Sequence, residues 1–307
     1  MKRHRVELGA ASERGGRPSQ EDDYILFQNR DGNITVFGVF DGHSSGGGGS
    51  DISGALVEGF EVLGEELDTK LFKNPKAFRN FLRLNSADID EWLLKDQRRN
   101  AIRAGSTACL GFYDSASNTF YAYNVGDSRI VFFEVSGGGG RTRGHKKIVK
   151  KGTWHQSMDH KPGLQSEINR IERAGGEVRS KSAGSSVPRV DGVLALSRSF
   201  GDFQLKRPFN KSHGDWVISE PKIMGPYHPT LRSGTEFYAA AGSDGVWDQM
   251  SSRELTKHIV NYASESSSSA RGGLDQLCQE LVDENIERWK SGSGADNVTL
   301  VIMRVSK

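Results

Sequence analysis

The stretch that most constrains this chain runs from Ile34 to His43 and has the sequence Ile-Thr-Val-Phe-Gly-Val-Phe-Asp-Gly-His. Its apolar, β-favouring first part predicts a buried strand. The strand leads directly into an acid, a glycine and a histidine, so Asp41 and His43 are expected at the mouth of a core strand. Glycine between them permits a tight turn and a close approach to a ligand. The alternative is a turn in which Asp41 merely caps the next segment.

The same arrangement of an apolar run beside an acid recurs at Asp127, Asp244 and Asp296. Burying one carboxylate at a strand end is costly unless it is paired or neutralised. Several carboxylates that converge repel one another unless a cation lies between them. Oxygen ligands without cysteine or clustered histidine favour Mg²⁺ or Mn²⁺ over zinc. The pattern therefore predicts a site for hard divalent cations.

Such a site suggests phosphoester hydrolysis. Two ions ~3.5–4 Å apart would clamp a bridging water, lower its pKa and orient it for in-line attack on phosphorus. The attack leaves an alkoxide that needs a proton, and His43 beside Asp41 could supply it as general acid. A planar, bidentate guanidinium suits a phosphate, and Arg17, four residues before Glu21, is the candidate. The residues alone thus indicate a metal-dependent phosphoester hydrolase.

The composition of the chain limits the classes of protein to which it can belong. The 307 residues are 35% hydrophobic and 26% charged, which is typical of a soluble globular protein. No window approaches ~20 uninterrupted apolar residues, so no membrane span is expected. A net charge of +2 gives no nucleic-acid footprint. Cys109 and Cys278 lie in apolar segments, which favours buried thiols in a reducing compartment, and we expect a cytoplasmic or nuclear protein.

Hydrophobic periodicity predicts both helices and antiparallel strands. Helices are predicted with an apolar stripe from Ile52 to Leu67, from Asn74-Pro75 onwards, from Leu164 to Ala174, from Ser251 to about Tyr262, and around Leu274 to Trp289. Strands are predicted at Arg3–Ala10, Tyr24–Gln28, Ser106–Tyr113, Thr119–Val125, Arg129–Val135, Val193–Asp202, Thr235–Ser243 and Val298–Val305. The glycine-rich stretches 44–50 and 136–140 have the composition of inserted flexible linkers.

Six ordered stretches resemble the motifs of the metal-dependent serine/threonine protein phosphatases, the type 2C or PPM family. They are Arg17-Pro-Ser-Gln-Glu-Asp22; Val39-Phe-Asp-Gly-His43; Gly105-Ser-Thr-Ala108 with Asn124-Val-Gly-Asp-Ser-Arg129; Asp159-His-Lys-Pro162 with Glu167, Arg170, Ile171 and Ala174-Gly-Gly176; Leu194-Ala-Leu-Ser-Arg-Ser-Phe-Gly-Asp202; and Ser243-Asp-Gly-Val-Trp-Asp248 with Asp296-Asn297. Any one motif is weak, but the ordered set covers nearly the whole chain and is very specific.

The resemblance implies an α+β fold, a four-layer αββα sandwich in which two mainly antiparallel β-sheets are flanked by helix pairs. It implies a single type 2C phosphatase catalytic domain over residues 1–307, with residues 156–190 as a flap subdomain that selects substrates. Phosphoprotein substrates are the expected partners. We expect a monomer that binds no nucleic acid and has no membrane span.

The resemblance also implies the ligands of two Mn²⁺ or Mg²⁺ ions. By position, Asp41 would bridge the two ions. Asp244 and Asp296 would complete one site, while Glu21 and the carbonyl of Gly42 would serve the other.

Four further residues take roles from the same resemblance. Asp22 would support the ligands from behind, Arg17 would hold the phosphate, and His43 would be the general acid. Asp127, with Asp244, matches the place where some family members bind a third, weaker metal. Hydrolysis would then proceed in one step, without a phosphoenzyme.

Two alternatives remain at this point. Gly42-His-Ser-Ser-Gly46 matches the G-x-S-x-G nucleophile elbow, with Ser44 as nucleophile and a later Asp and His, such as His258, completing a triad. That motif lies early in the chain and leaves the strand-end acids unexplained. The second alternative is a pseudophosphatase, a non-catalytic module that binds partners. Such relatives typically lose metal ligands, and here the four acidic ligands are all present.

Overall fold

The structure is a computed structural model that describes residues 4–44, 47–96, 101–137, 147–180, 187–207, 209, 214–265, 273–290 and 296–307. Within these ranges the strands are β1 (Arg5–Glu13), β2 (Asp22–Gln28), β3 (Ile34–Ser44), β4 (Ala104–Ser106), β5 (Ala108–Asp114), β6 (Thr119–Val125), β7 (Arg129–Gly137), β8 (Lys147–Val149), β9 (His155–Gln156), β10 (Val178–Ser180), β11 (Pro188–Val190), β12 (Phe200–Gly201), β13 (Lys222–Tyr227), β14 (Thr235–Gly242) and β15 (Val298–Ser306). The helices are α1 (Gly49–Glu66), α2 (Thr69–Phe72), α3 (Pro75–Lys95), α4 (Gln165–Arg173), α5 (Asp244–Trp247), α6 (Ser252–Glu265) and α7 (Leu274–Lys290).

Two antiparallel sheets form the centre of the fold. The first has the strand order β1-β15-β14-β7-β8, and β9 also pairs with β7. The second has the order β12-β4-β3-β5-β6-β13, and β2 also pairs with β3. Strands β10 and β11 form a separate two-stranded antiparallel sheet. No helix in the described ranges is long and apolar enough to cross a membrane.

The two sheets and their helices make four layers. Helices α1 and α3 cover the second sheet, where residues such as Phe60 and Phe78 pack on Tyr123 and Phe112. Helices α6 and α7 cover the first sheet through a second apolar cluster. A third cluster, which includes Phe37, fills the space between the sheets. The predicted four-layer α+β sandwich is therefore confirmed.

Strand β3 is the centre of the second sheet. Val36 and Phe40 face the helix layer, whereas Phe37 and Val39 face the other sheet. Successive side chains of a strand point to opposite faces, so a strand buried on both faces needs the continuous apolar run that the sequence has. The strand continues through Asp41 to Ser44, because there it exchanges its partner β5 for β4.

The strand directions explain why the acids gather. Strands β3 and β6 both pair antiparallel with β5, so they run the same way and end on the same side. The end of β14 lies beside the start of β15, since these two strands are antiparallel. Asp41, Asp127, Asp244 and Asp296 are therefore brought to one end of the sandwich from both sheets.

Several local expectations differ from the structure. The predicted strand Val193–Asp202 is wrong, since only Phe200–Gly201 pairs as a strand, while Ser197 and Ser199 bond to loop backbone. The linker expected at 44–50 is wrong in part, because α1 already begins at Gly49; residues 45–46 lie outside the described ranges. Strand β13 was missed because its Gly225-Pro226 pair is atypical of strands. The second predicted linker, 136–140, is also wrong in part, because residues 136 and 137 belong to β7. Residues 138–140 lie outside the described ranges.

The packing of α7 on β1 gives a test of this layer. A Cβ on Gly9 would lie 2.3–2.5 Å from backbone and Cβ atoms of Leu274 and Asp275. Gly9→Ala is therefore expected to destabilise the protein by about 1–3 kcal/mol, the usual cost of overpacking, as measured by urea unfolding. Gly137→Ala is the control, because a Cβ there meets nothing within 4 Å. Equal stability of the two variants would contradict the close contact.

Candidate active site

A cleft of about 600 Å³ opens at the end of the sandwich where the acids gather. Of the residues predicted from the sequence, it is lined by Arg17, Glu21, Asp41, Gly42, His43, Asp127, Asp244 and Asp296. Asp22 lies behind the cleft and is only 7% exposed. The structure thus brings the nine predicted residues to one place.

The centre of the cleft is a cluster of Asp41, Asp127 and Asp244. Each contributes a carboxylate oxygen, and these oxygens lie within 4.8 Å of one another. Burial raises the pKa of Asp41 well above its usual value, and the charges of Asp244, Asp22 and Asp127 raise it further. Burial likewise raises the pKa of Asp244, followed by the charges of Asp127 and Asp296. The ionised forms of both carboxyl groups are therefore disfavoured, first by burial and then by their acidic neighbours.

Asp22 adds a carboxyl group directly behind this cluster. In the β2–β3 ladder it is paired in register with Asp41. Burial raises its pKa to about 7, although hydrogen bonds from Ser243 and Thr299 oppose that shift. Its Oδ2 finds no hydrogen-bond partner among the described residues.

These observations fit a divalent cation site. The available donors are oxygens, which hard ions such as Mg²⁺ and Mn²⁺ prefer. The pKa values of Asp41 and Asp244 are raised by burial first and by neighbouring carboxylates second, and a bound cation would oppose both effects. Asp41, Asp244, Asp296, Glu21 and the Gly42 carbonyl could hold such ions.

Glu21 is held by three separate elements. Its Oε1 accepts the N–H of Gly49 at the start of α1 (3.0 Å), and its own N–H donates to Asn297 Oδ1 (2.9 Å). Its carbonyl accepts the N–H of Gly42 (3.1 Å). A Cβ on Gly49 would lie 2.6 Å from Glu21 Oε1. The glycine-rich entry to α1 therefore makes the space that Glu21 occupies.

Arg17 and Asp296 are paired with each other. Arg17 Nη2 donates to Asp296 Oδ2 at 2.7 Å, and the Arg17 side chain is 50% exposed. Asn297 fixes the loop that carries Arg17, because its Nδ2 donates to the carbonyls of Arg14 and Ser19 (2.8 and 2.9 Å). A guanidinium of this kind lies at the edge of the acid cluster and within reach of solvent.

Thr107 holds the backbone of Asp41. Its Oγ1 accepts the N–H of Asp41 (3.0 Å) and its own N–H donates to the carbonyl of Asp41 (2.9 Å). The same hydroxyl contacts Ser128 Oγ at 2.7 Å, next to Asp127. Thr107 thus couples the positions of two cluster acids, a role that the sequence analysis did not assign.

His43 is paired with Asp202, which the sequence analysis also gave no role. The His43 Nε2 and Asp202 Oδ2 lie 2.7 Å apart. Burial lowers the pKa of His43, but the charges of Asp202, Asp127 and Glu21 and the hydrogen bond to Asp202 outweigh it, so the net shift is upward. A Cβ at residue 105 would lie 2.1 Å from Asp202 Oδ2, so Gly105 makes room for the carboxylate.

Asp202 is itself held in place by Ser199 and by an ion pair between Lys206 and Asp90. Ser199 Oγ donates to Asp202 Oδ2 at 2.6 Å. Lys206 Nζ donates to Asp90 Oδ2 on α3 (2.6 Å) and to the carbonyl of Ser199 (2.9 Å), while Asp90 Oδ1 accepts the N–H of Gly201 (2.8 Å). Burial raises the pKa of Asp202, but His43, Ser199 and Lys206 lower it to a net downward shift. Asp202 therefore faces His43 as a carboxylate.

The motif Asp159-His-Lys-Pro162 holds the turn that presents Asp127. Asp159 accepts two hydrogen bonds from Arg129, at 2.9 and 2.6 Å. His160 donates its N–H to the Gly126 carbonyl (2.8 Å) and accepts the Gly126 N–H at Nδ1 (3.2 Å). Burial lowers the pKa of His160 to about 3, so the ring stays neutral. Lys161 Nζ donates to Asp127 Oδ2.

The serine hydrolase alternative finds no support in the described residues. Ser44 lies in β3 and lines the cleft. His258, however, lies on α6, and its Nε2 is 3.9 Å from Oε2 of Glu284 on α7. Glu254, His258 and Glu284 form a second cluster of potential metal ligands, but Arg288 Nη2 already lies 2.6 Å from both carboxylates.

Comparison with known proteins places the chain in a family. The protein phosphatase 2C family profile matches residues 6–293. Protein phosphatase 2C 1 of Paramecium tetraurelia is 31% identical over 312 residues, covering 97% of this chain and 92% of that protein. Protein phosphatase 2C homolog 2 of Hypocrea jecorina is 29% identical over 311 residues, covering 97% of this chain and 62% of that protein.

A solved structure gives the same answer for the fold. Serine-threonine phosphatase 2C from Toxoplasma gondii superimposes with a TM-score of 0.70 at 20% identity, covering 98% of this chain and 95% of that chain. The chain therefore belongs to the protein phosphatase 2C family of serine/threonine protein phosphatases. The resemblance seen in the sequence is confirmed. Membership implies a metal-dependent enzyme that acts on phosphoproteins.

The repulsion within the acid cluster makes a testable prediction. Asp244→Asn is expected to raise the thermal stability of the metal-free protein, because it removes one repelling carboxylate. A carboxyl whose folded-state pKa is raised costs stability as pH rises above its unfolded value of about 4. The gain should therefore grow between about pH 4 and pH 7.5, by ~2–4 °C for each kcal/mol removed, as measured by calorimetry in EDTA.

Asp31→Asn, in an exposed turn, is the control for this prediction and is expected to leave stability unchanged. Adding Mn²⁺ should raise the melting temperature of the wild type more than that of Asp244→Asn, because the ion relieves the repulsion only where the carboxylates remain. An Asp244→Asn protein that melts below the wild type in EDTA at every pH would contradict the repulsion.

Proposed function

We propose that this protein hydrolyses phosphoserine and phosphothreonine in proteins with a two-metal Mn²⁺ or Mg²⁺ centre, in one step and without a phosphoenzyme. The observation that supports this most is the convergence of Asp41, Asp127 and Asp244 within 4.8 Å in a cleft that also contains the His43–Asp202 pair. Repelling carboxylates and a histidine held by a carboxylate are the groups that such a hydrolysis needs.

For the two ions we propose the ligands that the family resemblance implies, all of which line the cleft. Asp41 lies centrally and would contact both ions, Asp244 and Asp296 would complete one site, and Glu21 with the Gly42 carbonyl would serve the other. Bound there, the ions lower the pKa of a water molecule and neutralise charge that develops on the phosphoryl group. Asp22 would lie behind these ligands, opposite Asp41 in the β2–β3 ladder, where burial raises its pKa to about 7.

Arg17 would bind the phosphoryl group of the substrate. Its guanidinium is half exposed at the cleft, and its pairing with Asp296 holds it beside the cluster. A planar fork of N–H donors matches two phosphoryl oxygens. Because Asn297 pins the loop on either side of Arg17, the guanidinium is positioned before the substrate arrives.

His43 would protonate the departing serine or threonine oxygen. Its raised pKa keeps the ring protonated up to a higher pH than an ordinary histidine. Because Nε2 is bonded to Asp202, Nδ1 is the ring atom that can release a proton. Asp202 stabilises the charged ring and fixes its orientation, so the acid is ready when the oxygen leaves.

Substrate selection would fall to the flap, residues 156–190, within a single catalytic domain. In the described part, α4, β10 and β11 form their own small core with Ile171, Val190 and Val217. Arg189 and the segment from Val193 to Leu196 line the cleft. A polypeptide bound across the cleft would therefore contact Arg189 of the flap and the residues that directly follow the flap. The pseudophosphatase alternative is not favoured, because the proposed ligands all lie together.

Metal dependence is tested directly by turnover. Hydrolysis of p-nitrophenyl phosphate is expected to appear with Mn²⁺ or Mg²⁺ and to stop with EDTA, and Asp244→Asn and Asp41→Asn should each lower kcat at least about 100-fold, since metal centres supply several kcal/mol. Asp31→Asn is the matched control and should retain full activity. A folded wild type without turnover under either metal would favour the pseudophosphatase.

The role of the His43–Asp202 pair is tested by comparing leaving groups. A general acid typically contributes about 10²–10⁴-fold, and only where the leaving oxygen is basic. Asp202→Asn should therefore lower kcat/KM for a phosphothreonine peptide by about 10–100-fold and that for p-nitrophenyl phosphate by less than about threefold. The His43→Gln variant should show the same split.

A double variant tests whether Asp202 acts through His43. Because Asp202 acts through His43, the combination of Asp202→Asn with His43→Gln should be no slower than His43→Gln alone. Equal losses on both substrates, or additive losses in the double variant, would show that Asp202 only supports the fold. Circular dichroism and melting temperature confirm that each variant is folded.

A further inference from the structure

Lys161 is a cation that the proposed metal chemistry does not use. Its ammonium donates to Asp127 Oδ2 and also interacts with Asp244 and Asp248. The Asp127 side chain is only 6% exposed, whereas that of Lys161 is 47% exposed. Lys161 therefore reaches into the acid cluster from its solvent side and partly neutralises the charge of Asp127.

The position of Lys161 is built into the fold. Its neighbours Asp159 and His160 bond to Arg129 and to both backbone groups of Gly126, on the two sides of Asp127. The carbonyl of His160 also accepts hydrogen bonds from the N–H and the hydroxyl of Ser197. The loop that carries Lys161 is thus bonded to the same turn that carries Asp127. Such an arrangement delivers the ammonium to one carboxylate rather than to the surface in general.

An ammonium and a metal ion compete for the same carboxylate. A divalent ion that binds Oδ2 of Asp127 displaces Lys161, and one that binds the other carboxylate oxygen is repelled by the ammonium beside it. In both cases Lys161 subtracts from the binding free energy of the ion. Asp41, Asp296 and Glu21 make no such pair with Lys161 in the described contacts. Asp244 feels the charge of Lys161 as well, but among the described ion pairs Lys161 contacts only Asp127. The penalty therefore falls chiefly on an ion at Asp127.

We propose that the Lys161 ammonium occupies the cation position at the Asp127 carboxylate and thereby limits the centre to two tightly bound metal ions. This inference rests on the proposed two-metal function. A third ion binds at Asp127 and Asp244 only when the ammonium moves away. The number of bound ions is then set by a lysine, which is not itself a metal ligand.

The test counts bound Mn²⁺. Wild-type protein, stripped with EDTA, is titrated with MnCl₂ by calorimetry and by the electron paramagnetic resonance signal of free Mn²⁺. Two tight ions are expected for the wild type. Lys161→Met keeps the length of the side chain without its charge and should tighten a third Mn²⁺ by about tenfold, within the ordinary range of coupling between neighbouring ligands.

Three control variants make the count specific. Lys161→Arg keeps the positive charge and should bind two tight ions, as the wild type does. Lys150→Met removes another lysine that pairs with a buried carboxylate, Glu134, away from the cleft, and should change nothing. Adding Asp127→Asn to Lys161→Met should abolish the third ion, because it removes the carboxylate that binds it.

The outcomes separate this inference from the function on which it rests. Fewer than two tight ions in a folded wild type would overturn both. Two tight ions in the wild type, with an unchanged third affinity in Lys161→Met, would overturn the role of Lys161 alone. A third ion that is equally tight in the wild type and in Lys161→Met would do the same.

Discussion

The site depends on a hydrophobic core that holds mutually repelling carboxylates together at one end of the sandwich, where the two sheets bring them. Asp41, Asp127 and Asp244 would separate if their backbones were free, but each is attached to a strand whose apolar side chains are buried. The hydrophobic core therefore holds together a charge cluster that is unfavourable by itself. Strain of this kind, which the rest of the fold maintains, is common where a site is prepared for a cation.

Small polar residues convert that general support into fixed positions. Thr107 holds the backbone of Asp41, and Ser243 and Thr299 exchange hydrogen bonds next to Asp244. His160 does the same for Gly126, before Asp127. Each of these bonds involves a main-chain group, so the acids can move little even when their charges change. On the other side of the cleft, the ion pair of Lys206 with Asp90 connects helix α3 to the loop of Asp202. The acid cluster and the His43–Asp202 pair are thus supported by different layers of the sandwich.

The sequence predicted much of this because the relevant signals are local. The strand before Asp41, the helix start at Ser251 and the helix start at Asn74-Pro75 depend on near neighbours, and all three occur in the structure. The strand expected at 193–202 did not form, because its serines bond to loops distant in sequence. The Asp202 and Lys161 contacts likewise join residues 159 and 34 positions apart. Their motifs were visible, but the partner of each side chain depends on the tertiary fold.

Strand β15 lies between β1 and β14, so the first sheet is completed by a segment that is made almost 300 residues after its neighbour β1. Asp296 and Asn297, which directly precede it, contact Arg17 and Glu21. While the ribosome is still making the chain, β1 and β14 expose unpaired edges and the catalytic end is incomplete. The cleft can therefore take its final form only after the chain has been synthesised through β15, which makes the assembly of this end of the sandwich a late step in the biogenesis of the protein.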